Sequence, residues 1–152
     1  MKTVEDIDAY LQKVINKAPV QARFKRETRR SFKIKDGRGR RKPAATGDYI
    51  TMPAYGRTQW VALHEFAHVI TIRRHGMATA GHGWQFAAIY LDLVRFGMGV
   101  EAHRMLKESF KAHKVRWTPK RTRTASPEAL ERLAKARAEM AARRKGHTTG
   151  AV

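Results

Sequence analysis

The chain reads as an α+β fold in which a small antiparallel sheet packs on a central helix and a basic helix trails behind. Three features lead there: helical spacing of apolar residues at the N-terminus, three short segments of strand-like alternation, and then a series of helical segments, the first being the most apolar. A length of 152 residues suits one core plus a tail rather than two full domains. The expected division is a domain over residues 1–117, a basic linker over 118–126 and a basic helical tail over 127–152 with a disordered end.

Val4, Ile7, Leu11, Val14 and Ile15 recur at helical spacing after Thr3, a good cap, with acids in the first turn. That start predicts a packing helix rather than a signal peptide. The alternation from Val20 to Phe24, and again around Phe32 and Ile34 before Asp36-Gly37, predicts two short strands. After the basic loop from Arg38 to Lys42, Asp48-Tyr49-Ile50-Thr51-Met52 reads as a third strand stopped by Pro53. A strongly apolar helix is expected from about Thr58 to His75, ending at Gly76. Further helices are expected from about Trp84 to Phe96, with Gly97 and Gly99 breaking the chain, and from Val100 to about Lys114, Trp117 closing the domain. Ser126-Pro127-Glu128 starts a last helix running to about Lys145. Its stripe of Leu130, Leu133 and Met140 is too thin for firm docking.

There is no cysteine, which removes disulfides, thiol nucleophiles and cysteine-held zinc. Any metal must sit on His, Asp or Glu, and a reducing cytoplasm is the expected compartment. No apolar run reaches the roughly 18 residues of a membrane span, so a soluble protein with no membrane partner is expected.

Within the most apolar helix lies His64-Glu65-Phe66-Ala67-His68, the pattern HExxH. Residues four apart on a helix face the same way, so the two imidazoles can grip one metal ion with Glu65 beside them. Zinc on neutral nitrogen ligands makes water acidic near neutral pH, and an adjacent carboxylate serves as general base. A chance match at this composition, with 7 histidines, has a probability of roughly 2%. Burying two histidines and a glutamate without a shared purpose would also be costly. A catalytic zinc takes a third protein ligand. The extended metzincin pattern fails because Thr71 and Arg74 stand where it needs glycine and histidine. His82, in Gly81-His82-Gly83-Trp84, is the leading candidate, since a tight turn would swing it back over the first helix. His75 ends a helix, where imidazoles commonly meet the dipole, and ranks below it. His103 and His113, on a later amphipathic helix among charged residues, read as surface groups, and His147, in the tail, ranks last. Tyr49, Tyr55 and Arg57 lie near the entry to the motif helix as carbonyl-polarising candidates, and the strand from Tyr49 to Met52 is the candidate for holding an extended substrate.

These residues resemble the SprT-like zinc metallopeptidases, in which a HExxH helix is followed after a short gap by a helix opening with His-Gly. The strand-like Tyr49 to Pro53, the segment HGWQFAAIYLDLV and the later AHRMLKESFKAHKVRW are similar to small metallohydrolases of actinobacteria and their phages, over roughly residues 45 to 117. The resemblance implies a zincin-like sheet packed on the motif helix, zinc on His64, His68 and His82, and Glu65 as general base. The cysteine zinc ribbon common in bacterial members is missing; a basic helix stands in its place.

The formal net charge is +19, concentrated at the two ends of the chain. Residues 23–42 hold eleven Lys or Arg against two acids, interleaved with Phe24 and Phe32, and residues 116–145 form a second basic block. Such segments give salt-dependent, sequence-blind affinity for nucleic acid. The expected activity is therefore a zinc metallopeptidase acting on proteins on or near nucleic acid. The alternative is a nucleic-acid-binding protein with a structural or idle zinc site; a nuclease is disfavoured by the lack of a carboxylate-rich two-metal pattern.

Overall fold

The computed structural model describes residues 1–120 and 126–146. The inner part of the expected linker and the end of the expected tail, residues 121–125 and 147–152, lie outside the described residues. The chain divides into two units, Met1–Pro119 and Lys120–Val152. Among the described residues the fold is α+β, with six α-helices and one three-stranded sheet, and no helix is long and apolar enough to cross a membrane.

Helix α1, Val4–Ile15, starts with a complete capping box: Thr3 Oγ1 accepts from the Asp6 amide at 3.1 Å, and Asp6 accepts from the Thr3 amide at 3.1 Å. Its Ile7, Leu11, Val14 and Ile15 are buried. The segment expected to be a first strand is instead helix α2, Ala18–Thr28, with Pro19 in its first turn. It buries Val20, Phe24 and Glu27 while Ala22 is exposed. That is spacing of four and three, which a five-residue window cannot separate from alternation. Proline near a helix start was the signal pointing the other way.

The sheet has the order β1-β3-β2, with β1 Lys33–Asp36 parallel and β2 Ala44–Ala45 antiparallel to β3 Tyr49–Met52. It is mixed, not antiparallel as expected. The segment after β1 crosses past β3 before forming β2, so β3 is inserted between two earlier strands. Gly37 makes that crossing possible. Buried at the end of β1, it donates its amide to the Met52 carbonyl at 3.1 Å, and a Cβ there would sit 2.5 Å from the Pro53 nitrogen and 2.8 Å from the Met52 carbonyl carbon. Backbone cannot yield as a side chain does, so Gly37→Ala is expected to cost about 1–3 kcal/mol in urea unfolding. Unchanged stability would mean the crossing is looser than this contact implies.

Helix α3, Gln59–His75, begins at Thr58, whose hydroxyl accepts from the Val61 amide at 3.3 Å, and ends at Gly76 with φ 82°. Leu63, Phe66, Ala67, Val69 and Ile70 are fully buried, making α3 the central element. Helix α4, Trp84–Met98, packs along it. Gly97 does not break α4 as expected; a Cβ there would lie 3.0 Å from Leu63 Cδ1 and 3.2 Å from the Tyr10 hydroxyl, so this glycine permits close packing. The break falls at Gly99, φ 102°. Helix α5, Val100–Ala112, packs on α4 with Ala102, Leu106 and Phe110 half-buried, and half-buried Trp117 lies against Phe110 at 6.3 Å between centroids. In the second unit, α6 spans Pro127–Gly146 and exposes Leu133 and Met140.

One side chain ties α3 to the segments beside it. The Arg73 guanidinium donates to the carbonyls of Gly47 at 2.7 Å, Glu27 at 2.6 Å, Arg30 at 2.5 Å and Ser31 at 2.9 Å. It thereby joins α3 to the end of α2, the approach to β1 and the β2–β3 turn.

Candidate metal centre

His64 and His68 lie one turn apart on α3, and His82 stands in the turn before α4. That turn, closed by the Gly83 amide on the Ala80 carbonyl at 3.0 Å, brings His82 over α3. Its Nε2 lies 3.2 Å from His68 Nε2 and 3.2 Å from His64 Nε2. Three histidines, two half-buried and one exposed, thus offer ligand atoms within 4.8 Å of one another.

The spacing fits a metal ion better than it fits hydrogen bonding. Two nitrogens bound tetrahedrally at about 2.05 Å from zinc lie about 3.3 Å apart, close to the two observed separations. A neutral imidazole nitrogen has either one proton or one lone pair, so His82 Nε2 cannot satisfy both neighbours by hydrogen bonds. A cation shared among three lone pairs can.

The rings are held from behind by Phe86, one helical turn beyond His82 and only 4% exposed. Its centroid is 4.9 Å from His64, 4.3 Å from His68 in a stacked arrangement, and 4.9 Å from His82. Tyr90 adds an edge contact to His64 at 5.4 Å and donates its hydroxyl to the Trp60 carbonyl at 3.2 Å. Neither aromatic stands out in the sequence, because both fall on the apolar stripe of α4, where core packing is the ordinary explanation.

Glu65 is 5% exposed and borders a cavity of about 400 Å³ that residues 42–45 line together with the three histidines. Among the described residues its carboxylate has no hydrogen-bond or ion-pair partner. Burial raises its pKa from 4.5 to about 7. Burial, with the neighbouring imidazoles adding, lowers His64 and His68 to about 4, so both are neutral, the form that binds a metal.

These shifts set a pH dependence for the metal-free fold. The folded state binds protons on His64 and His68 more weakly than the unfolded chain, so their contribution to stability rises with pH between about 4 and 6.5. Glu65 is opposite: its contribution is full below about 4.5 and is lost as pH rises through about 7. Two groups outweigh one, so the urea midpoint of metal-free protein should rise from pH 4.5 to 6.5, and more steeply in Glu65→Gln. Equal slopes would mean that Glu65 titrates as it does in the unfolded chain.

The other candidates fall outside this centre. His75 is exposed at the end of α3, and His113 Nδ1 pairs with the Ser109 carbonyl at 2.9 Å. His103 lines a small separate cavity with Trp117; His147 lies outside the described residues. Tyr49 sits under the Lys35 ammonium at 3.9 Å, Tyr55 donates to the Arg41 carbonyl, and Arg57 donates to Asp36 at 2.9 Å and to the Lys2 carbonyl at 2.7 Å. None of the three lines the cavity at the histidines. The strand expected to hold substrate, Tyr49 to Met52, is the middle strand with both edges paired. The strand that reaches the cavity is β2. No family model, curated protein or solved structure matches the chain.

Proposed function

We propose that the protein is a zinc-dependent metallohydrolase of zincin-like arrangement, a metallopeptidase acting in the cytoplasm on proteins on or near nucleic acid. The observation that carries this reading is the convergence of three imidazole nitrogens beside a buried, unpartnered carboxylate. His64, His68 and His82 would hold the ion through Nε2. Zinc bound there supplies Lewis acidity, which makes water nucleophilic near neutral pH and polarises a carbonyl.

The chain's own residues supply the rest. Glu65 takes the proton of the attacking water on a carboxylate oxygen and delivers it to the leaving amine. Burial without a partner suits this task, since no described residue competes for that oxygen; beside a bound dication Glu65 would hold the ionised form that the base needs. A peptide substrate is supported by β2. The Thr46 amide bonds to the Tyr49 carbonyl at 2.9 Å, and antiparallel ladders alternate bonded and non-bonded pairs. The pair Ala45–Ile50 is then a non-bonded one, so the Ala45 amide and carbonyl point to the free edge, where an extended chain can add.

Nucleic acid is supported by exposed cations: Lys25 and Arg26 on α2, Arg29 at its C-terminal cap, and Arg132, Lys135 and Arg137 on α6. They would give salt-sensitive affinity without sequence preference. The test is cleavage of casein and of histone by zinc-supplemented protein, with and without single-stranded DNA. Chelator-sensitive cleavage, stronger for histone when DNA is present, is the expected result. Zinc binding and DNA binding with no cleavage of either protein would leave a nucleic-acid-binding protein with an idle site.

A further inference from the structure

Resting on the peptidase reading above, we infer that this cleft selects substrates by acidic side chains and that Lys42 is the residue that reads them. Lys42 lines the cavity at the three histidines, and among the described residues its ammonium has no ion pair or hydrogen bond. The same holds for the side chains of Arg40 and Arg41 just before it. The other wall residues, Pro43, Ala44 and Ala45, are small and offer no aromatic or long aliphatic surface to grip an apolar side chain. Among the described residues on the wall the one carboxyl-bearing residue, Glu65, is 5% exposed and is committed to the chemistry. Among the described residues that line this wall, Lys42 is the one unpaired ammonium.

Lys42 is also held in place. Tyr55 donates its hydroxyl to the carbonyl of the preceding Arg41, and the following Pro43 packs over Gly56, where a Cβ would come within 3.1 Å of Pro43 Cγ. The backbone on both sides of Lys42 is anchored to the Ala54–Gly56 turn, so the stem starts from a fixed point on the wall and its ammonium sweeps the space within the stem's reach. Lys42 stands three residues before Ala45, in the bend that leads into β2, and so at most about 10 Å from it. An acidic residue within about three positions of the one beside Ala45 would meet it.

The experiment uses full-length, zinc-supplemented protein and fluorescent decapeptides that carry Glu, Gln or Lys at each position in turn. Cleavage is followed in the wild type, and binding by anisotropy in Glu65→Gln. The expected result is a preference of about three- to fivefold for Glu over Gln at one position, seen in both binding and cleavage and shrinking as salt rises. In Lys42→Ala the Glu-to-Gln ratio falls to one, and in Lys42→Glu it inverts in favour of Lys, which a merely structural role would not produce. Cleavage with no preference at any position overturns this inference and leaves the peptidase reading intact. No binding and no cleavage of any peptide overturns both. If Lys42→Glu weakens binding of a single-stranded oligonucleotide while the peptide ratios stay as in wild type, Lys42 belongs to a nucleic-acid surface and the inference fails.

Discussion

Glu65→Gln is expected to keep its zinc and to lose peptide hydrolysis by about 10²- to 10⁴-fold. Glutamine matches glutamate in shape, so the α3 packing around a side chain only 5% exposed is conserved. The three imidazoles that would hold the ion are untouched. What changes is proton transfer: an amide cannot accept the proton of water and return it to an amine. Burial raises the Glu65 pKa, which is a cost to the metal-free fold, so the variant should also be as stable as the wild type or more so near neutral pH. Loss of activity with retained metal and undiminished stability separates a chemical role from a structural one. A variant with near-normal hydrolysis would remove Glu65 from the reaction.

Arg73→Leu is expected to destabilise the first unit by about 3 kcal/mol or more, read as a lower urea midpoint. Hydrogen bonds to a charged group contribute about 1.5–3 kcal/mol each, and this guanidinium makes four to backbone carbonyls. Several of those carbonyls can recover water when it is lost, which keeps the cost below the sum. Arg73→Lys should rescue little, because one ammonium cannot span the four acceptors that a planar fork reaches. The damage should extend to the metal centre. Arg73 binds the Gly47 carbonyl in the β2–β3 turn and sits five residues beyond His68, so it couples the cavity wall to the helix that carries two ligands.

The cluster of three histidines was legible because it is local. His64, Glu65 and His68 are brought together by the pitch of one helix, and His82 by one tight turn, so four residues could be assembled without knowing the rest of the fold. The apolar positions of α1 and α3 were readable for a related reason: long helices repeat their period often enough to leave little ambiguity. Short elements do not. Val20 to Phe24 fits both periods, and tertiary burial of Val20, Phe24 and Glu27 decided for helix. Strand order depends on pairings between distant segments, so nothing in the sequence said that Tyr49 to Met52 would be enclosed and the two-residue β2 would form the edge. Phe86 was hidden for the opposite reason, being an ordinary core residue by every local measure and a support for three imidazoles only once α4 is laid beside α3.

Zinc stoichiometry of the purified wild type beside His82→Ala bears most directly on the metal centre. Three converging ligands on a fixed scaffold predict about one zinc per chain in the wild type, resistant to dialysis, and its loss in His82→Ala with the fold preserved by circular dichroism. A wild type that binds no zinc, or a His82→Ala protein that retains it in full, would contradict the account.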